Sequence, residues 1–144
     1  MNMAESVQIN RPPEDVFAYV PDVTNDANWQ QSVVEARMTS DGPTGVGSTG
    51  VHRVKFMGMS DEYGWELSEF DAPNRATWKF VSGPMTGEGG YVFATSGEGT
   101  SFTWTGDVQP QGARRILAPI MGPLFRKQVR KELQVLKGIL EARA

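Results

Sequence analysis

His52 is the only histidine among 144 residues, and there is no cysteine. Without cysteine, disulfides, thiolate metal sites and cysteine nucleophiles are excluded together. With one histidine, no cluster of histidine metal ligands forms. Alternation along its strand puts His52 on one face with Val54 and Phe56, toward an interior. A lone histidine on a strand is ordinarily a satisfied structural residue. In an apolar pocket, desolvation favours its neutral form, which suits a base. Asp61 and Glu62 are neighbours on a strand and point to opposite faces, so they are not the carboxylate pair that acid/base hydrolysis needs. Glu62 and Glu66 belong to an outer face, opposite Tyr63, Trp65 and Leu67. Gly45-Val46-Gly47-Ser48-Thr49-Gly50 has the spacing of a dinucleotide-binding loop, but it follows a turn and enters a strand, so no helix N-terminus meets a pyrophosphate. No cofactor and no metal are expected.

The aromatic residues are the most suggestive set. Trp29, Trp65, Trp78, Tyr91 and Trp104, joined by Met121 and Phe125 from the last helix and by His52, are the candidates for contact with a bound molecule. Core packing accounts for any one of them. Together they exceed what a single helix stripe covers on a bent sheet, and an unfilled apolar space is what a small-molecule site needs. Tyr63 and Tyr91 each place a hydroxyl where it orients a ligand, and with His52 they are the candidate catalytic groups.

The elements that position these residues follow from periodicity. Val7-Gln8-Ile9 reads as a first strand, and Pro12-Pro13-Glu14-Asp15 as the first turn of a short helix that stops at Pro21. A second short helix or turn covers Asp22 to Trp29. Strands are expected over 33–38, 48–56, 61–70, 76–81, 90–95 and 100–108, with Met57 to Ser60 as the tip of one hairpin. In the last strand Phe102, Trp104 and Val108 share one face and Ser101, Thr103, Thr105 and Asp107 the other, the alternation of an antiparallel sheet with one buried side. Helical spacing then takes over: Phe125, Val129, Leu133 (or Glu132), Leu136 and Leu140 form a stripe. Pro119 and Pro123 predict a kink or a fresh helix start near Pro123.

Composition bounds the rest. Hydrophobic residues make up 39% of the chain, and no apolar run approaches the ~18–20 residues of a membrane span. Met1 to Ser6 lacks a basic stretch leading into an apolar one, so no signal peptide and a cytoplasmic location are expected. Residues 1–112 carry six basic and fifteen acidic side chains (net −9), whereas residues 113–144 carry eight and two (net +6). A basic helix packed near an acidic sheet explains the asymmetry, and a basic face for an anionic membrane is the alternative. Nucleic-acid binding is not expected, since the chain is acidic overall.

Ile9 to Val20, then Asp22, Asn25 and Trp29, Gly45-Val46-Gly47 before the third strand, Glu69-Phe70-Asp71-Ala72-Pro73 and the terminal amphipathic helix occur here in one order. That order resembles the START-like helix-grip superfamily, in particular its bacterial polyketide cyclase/dehydratase-like (SRPBCC) branch, over nearly the whole chain. The resemblance implies an α+β fold in one domain, residues 1–144: a seven-stranded curved antiparallel sheet around a long C-terminal helix, with two short helices between the first and second strands. It also implies a ligand cavity between sheet and helix. It transfers no catalytic group. The function expected first is binding of a small hydrophobic or aromatic molecule, a lipid, polyketide or isoprenoid. The alternatives are a polyketide cyclase, aromatase or dehydratase using the same pocket, and a membrane-associated lipid helper. Ligand identity and oligomeric state stay open.

Overall fold

A computed structural model of the chain describes residues 1–143. The first strand, β1 (Asn2–Ile9), leads through Pro12 into α1 (Pro13–Tyr19), a 3-10 turn (Val23–Asn25) and α2 (Asp26–Trp29). Six strands follow: β2 (Val33–Met38), β3 (Thr49–Phe56), β4 (Met59–Asp71), β5 (Arg75–Ser82), β6 (Met85–Ser96) and β7 (Gly99–Pro110). A second 3-10 segment (Gly112–Leu117) feeds α3 (Ala118–Glu141). All seven strands form one antiparallel sheet in the order β1-β7-β6-β5-β4-β3-β2, with β1 crossing to pair with β7. Register shifts in β2 and β4 mark irregular pairing, the kind of local break that bends a strand and lets a sheet curl. The helix-grip architecture expected from the sequence is present.

Several boundaries differ from the sequence reading. β1 is eight residues long, because Met3 and Val7 continue the buried alternation toward the N-terminus. β6 begins at Met85 rather than Gly90, its first half being glycine-rich. The hairpin tip is shorter, with Met57 and Gly58 both at positive φ as a two-residue turn requires. α3 does not start afresh near Pro123. It begins at Ala118, places Pro119 in its first turn and runs on through Pro123. Having no N–H, Pro123 leaves the Pro119 carbonyl without its usual donor four residues on.

Val129, Leu133, Leu136 and Leu140 on one face of α3 are buried against Ile9, Val16, Phe17, Phe93 and Phe102. Phe17 meets Phe93 edge-on at 4.9 Å. The corner after β1 clasps the end of α3: the Asn10 amide donates to Glu141 (2.8 Å), Lys137 donates to the Gln8 carbonyl, and Arg11 reaches the Arg143 carbonyl. Basic residues of the C-terminal region also pair with acids of the sheet, Arg130 with Glu5 (2.9 Å) and Arg114 with Asp61 (2.6 Å). Part of the charge asymmetry is thereby internal. No helix among the described residues is long and apolar enough to cross a membrane.

Candidate functional site

The sheet and the N-terminal half of α3 do not close on each other. Between them lies a cavity of about 200 Å³. From α3, Met121, Gly122 and Phe125 face it; β3 contributes His52, Val54 and Phe56; β4 contributes Tyr63, Trp65 and Leu67; β5 to β7 contribute Trp78, Tyr91 and Trp104. Phe125 bridges helix and sheet, meeting Phe56 at 5.9 Å and Trp104 at 6.2 Å. Trp78 and Trp104 flank Tyr91 at 4.8 and 5.8 Å.

Two glycines make room for the indoles. Trp65 lies across Gly50, its register partner on β3, where a Cβ would fall well under 3.0 Å from the ring. Trp78 lies across Gly89 on β6 in the same way. A side chain at either glycine would occupy the space that the ring now takes.

The polar groups on the wall converge from α2, β3 and β4. Asp22 caps the 3-10 turn by accepting from the Thr24 amide (3.1 Å) and hydroxyl (2.7 Å), and the Asn25 side chain donates to the Tyr19 carbonyl (3.0 Å). This folded connection carries Asp26 inward, where it is only 3% exposed. Asp26 Oδ2 lies 2.6 Å from His52 Nε2, and the Trp65 indole N–H donates to His52 Nδ1 at 2.7 Å. An indole only donates, so Nδ1 must accept. The neutral ring therefore holds its proton on Nε2 and donates it to Asp26. Both nitrogens of His52 are engaged within the protein, and neither is free for a ligand. Burial pushes the Asp26 carboxyl above its ordinary range, opposed by the His52 hydrogen bond and reinforced by Asp22. Beside this chain, the Gln30 amide donates to the Tyr91 hydroxyl at 3.4 Å. Burial and the nearby Asp26 hold Tyr91 well above the usual phenol range, so it keeps its proton.

Tyr63 packs on Phe80 at 5.5 Å, its ionisation opposed first by burial and then by Asp61. Of the residues singled out in the sequence, His52, Tyr63, Trp65, Trp78, Tyr91, Trp104, Met121 and Phe125 all stand on the cavity wall. Trp29 does not. It is 1% exposed and packs edge-on against Trp104 at 5.4 Å, because the turn of α2 directs Asp26 to the cavity and Trp29 into the core.

Two polar residues escape a reading of the sequence, and a third shows in it only by position. Asp26 and Gln30 lie in a short connection where such residues normally face water. Glu132 sits on the apolar stripe of α3, three residues after Val129, and is 1% exposed. It accepts from Gln128 (2.9 Å), and the nearby backbone amides of Gln31 and Ser32, just before β2, favour its charged form. Burial outweighs them and raises its pKa to about 7. Its place on the stripe is the one signal in the sequence.

Among solved structures, a Thermus thermophilus protein superposes with a TM-score of 0.85 at 20% identity, covering 99% of this chain and 98% of that one. The Zhui aromatase/cyclase of Streptomyces sp. R1128 superposes at 0.84 with 15% identity, covering 100% and 96%. A START superfamily protein of Mycobacterium smegmatis does so at 0.73 with 17% identity, covering 99% and 95%. A search of curated protein sequences finds no match. Likenesses at these identities speak for the fold. The sequence itself matches, over residues 1–141, the family described as polyketide cyclase / dehydrase and lipid transport, and the chain belongs to that family.

Proposed function

We propose that the protein binds a small, largely apolar aromatic molecule in the cavity between the sheet and α3, and holds it without covalent chemistry. The observation that carries this reading is the cavity itself, walled by indole and phenyl rings between helix and sheet. Its volume of about 200 Å³ exceeds the ~150 Å³ of an engineered apolar cavity that holds benzene. It falls short of the roughly 300–1,000 Å³ of drug-sized sites. One or two fused rings match that space. Each 100 Å² of apolar ligand surface buried contributes about 2.5 kcal/mol before ordering costs. Calorimetric titration of naphthalene into the protein tests the reading. One saturable site with a negative heat-capacity change is expected, lost when Ala76→Phe fills the wall. Absence of saturable binding in the unsubstituted protein overturns it.

A cyclase, aromatase or dehydratase activity has one observation in its favour, the buried carboxyl of Asp26 on the cavity wall. In that reading the acid/base group is Asp26 rather than His52, whose ring nitrogens are both engaged. Turnover of a bound compound, abolished by Asp26→Asn with binding retained, would establish it. A lipid-helper role is favoured by Ile116 (81% exposed), Ile120 (55%) and Leu124 (45%), which stand at four-residue spacing beside Arg115 and Lys127. Binding to anionic vesicles at low salt is the corresponding test, since the electrostatic attraction is strongest there.

A further inference from the structure

We infer that the ligand carries a hydroxyl group, a phenol or an alcohol, which donates a hydrogen bond to Oδ1 of Asp26. The inference rests on the reading of the cavity as a ligand site and names one chemical feature of its occupant.

Apolar surface dominates the wall of the cavity, and where Asp26, His52 and Trp65 meet on it the hydrogen bonds can be followed atom by atom. Trp65 donates to His52, and His52 donates to Asp26 Oδ2. The chain ends at Asp26 Oδ1, which is buried and has no hydrogen-bond partner among the described residues. A carboxyl oxygen with open lone pairs in such a place is costly to leave unpaired, and native proteins pair nearly all such groups with protein, water or ligand. Of the neighbouring polar groups, the Gln30 amide donates to the Tyr91 hydroxyl, and neither residue makes a hydrogen bond to Oδ1. Among the described residues no lysine or arginine is paired with Asp26; its one ion-pair contact is His52. The complement that Oδ1 lacks is a donor, and because Asp26 lines the cavity a bound molecule is placed to supply it.

The surroundings select among donors. An ammonium brings a full charge and three N–H groups, each needing an acceptor, into a largely apolar wall. A hydroxyl brings a single O–H donor to match one open acceptor. The ring that bears it then packs on Trp65, Trp78 and Trp104. His52 is a positioning residue in this arrangement: fixed by Trp65, it holds Oδ2 and so directs Oδ1.

The test is a matched pair of probes titrated calorimetrically into the full chain near neutral pH. 2-Naphthol and 2-methoxynaphthalene share the same rings, but the second has no donor. The expected result is about tenfold tighter binding of 2-naphthol, the worth of one hydrogen bond at about 1.4 kcal/mol. In Asp26→Asn, the side-chain carbonyl takes over the His52 contact and the amide nitrogen stands where Oδ1 was. There the 2-naphthol advantage disappears or reverses, while the affinity for 2-methoxynaphthalene stays within about threefold and reports that the cavity is intact. Equal affinity of the unsubstituted protein for the two probes overturns the inference and leaves the cavity reading standing. So does an advantage that survives in Asp26→Asn, or a preference for 2-naphthylmethylamine over 2-naphthol. Failure of every probe to bind removes the cavity reading and this inference with it. If Asp26→Asn does not fold, the probe pair on the unsubstituted protein still decides.

Discussion

The two halves of α3 face the same sheet and meet it in opposite ways. From Val129 onward, branched aliphatic side chains at three- and four-residue spacing fill the gap completely, with Phe17, Phe93 and Phe102 closing on them. Before Phe125, the helix offers Met121 and Gly122, and the sheet opposite offers glycines at 50 and 89 with indoles laid across them. One half is solid and the other hollow. The difference shows that a fold of this kind separates its duties along one helix: the C-terminal turns hold the domain together, and the N-terminal turns leave room. Asp26, His52 and Trp65 stand on the hollow side, and Glu132 marks the seam.

The sharpest way to break this contrast is truncation on each side. Leu136→Ala in the solid half is expected to lower unfolding free energy by about 2–5 kcal/mol in urea denaturation, through lost burial and a residual cavity. Phe125→Ala in the hollow half is expected to cost only about 1–2 kcal/mol, because part of its ring already borders open space, yet to weaken naphthalene binding several-fold. Equal losses at the two sites would contradict the contrast.

The seam gives a pH dependence. Glu132 is raised from 4.5 to about 7, so between those values the folded state holds a proton that the unfolded state has released. The stabilisation is complete below pH 4.5, declines as pH rises and is gone above about 7. The full difference is about 3 kcal/mol. Asp26, also raised by burial, acts in the same direction. Glu132→Gln keeps an acceptor for the Gln31 and Ser32 amides without the titration. Its unfolding free energy is expected to lose most of that slope and to match or exceed the unsubstituted protein at about pH 8. An unchanged slope would place the titrating group elsewhere.

Glycines separate the halves with a smaller effect of opposite sign. Gly50→Ala places a methyl inside the present position of Trp65, so the indole must shift and its bond to His52 breaks. A stability loss of about 1–3 kcal/mol and weaker 2-naphthol binding are expected, with a change in tryptophan fluorescence. Gly138→Ala, on the exposed side of α3 with nothing within 4 Å, should instead stabilise by about 0.5–1 kcal/mol. Thermal melts of the two variants check both signs.

Strands with alternating residues and the aliphatic stripe of α3 are legible in the sequence, because a period of two or of 3.6 reports directly on which face is buried. Only the second half of β6 is legible in this way. A glycine has no side chain to alternate, and the pairing of the first half becomes visible only with Trp78 lying over Gly89. Pro123 suggests a break, yet α3 continues through it. Residues on the cavity wall are legible as aromatics on inner faces. Asp26 and Trp29 are not: their directions depend on the phase of a four-residue helix, which no periodicity can fix over so short a span. Glu132 is visible as an acid on an apolar stripe, but its backbone partners are distant in sequence.

The most direct test of the hollow half as a ligand site is a crystal structure of the protein grown with 2-naphthol. Fused-ring density is expected between Trp78, Trp104 and Phe125, with the hydroxyl in hydrogen-bond reach of Asp26 Oδ1 and the Trp65–His52–Asp26 chain intact. Indoles collapsed onto Met121 and Phe125, with the space between helix and sheet filled by side chains, would contradict that expectation.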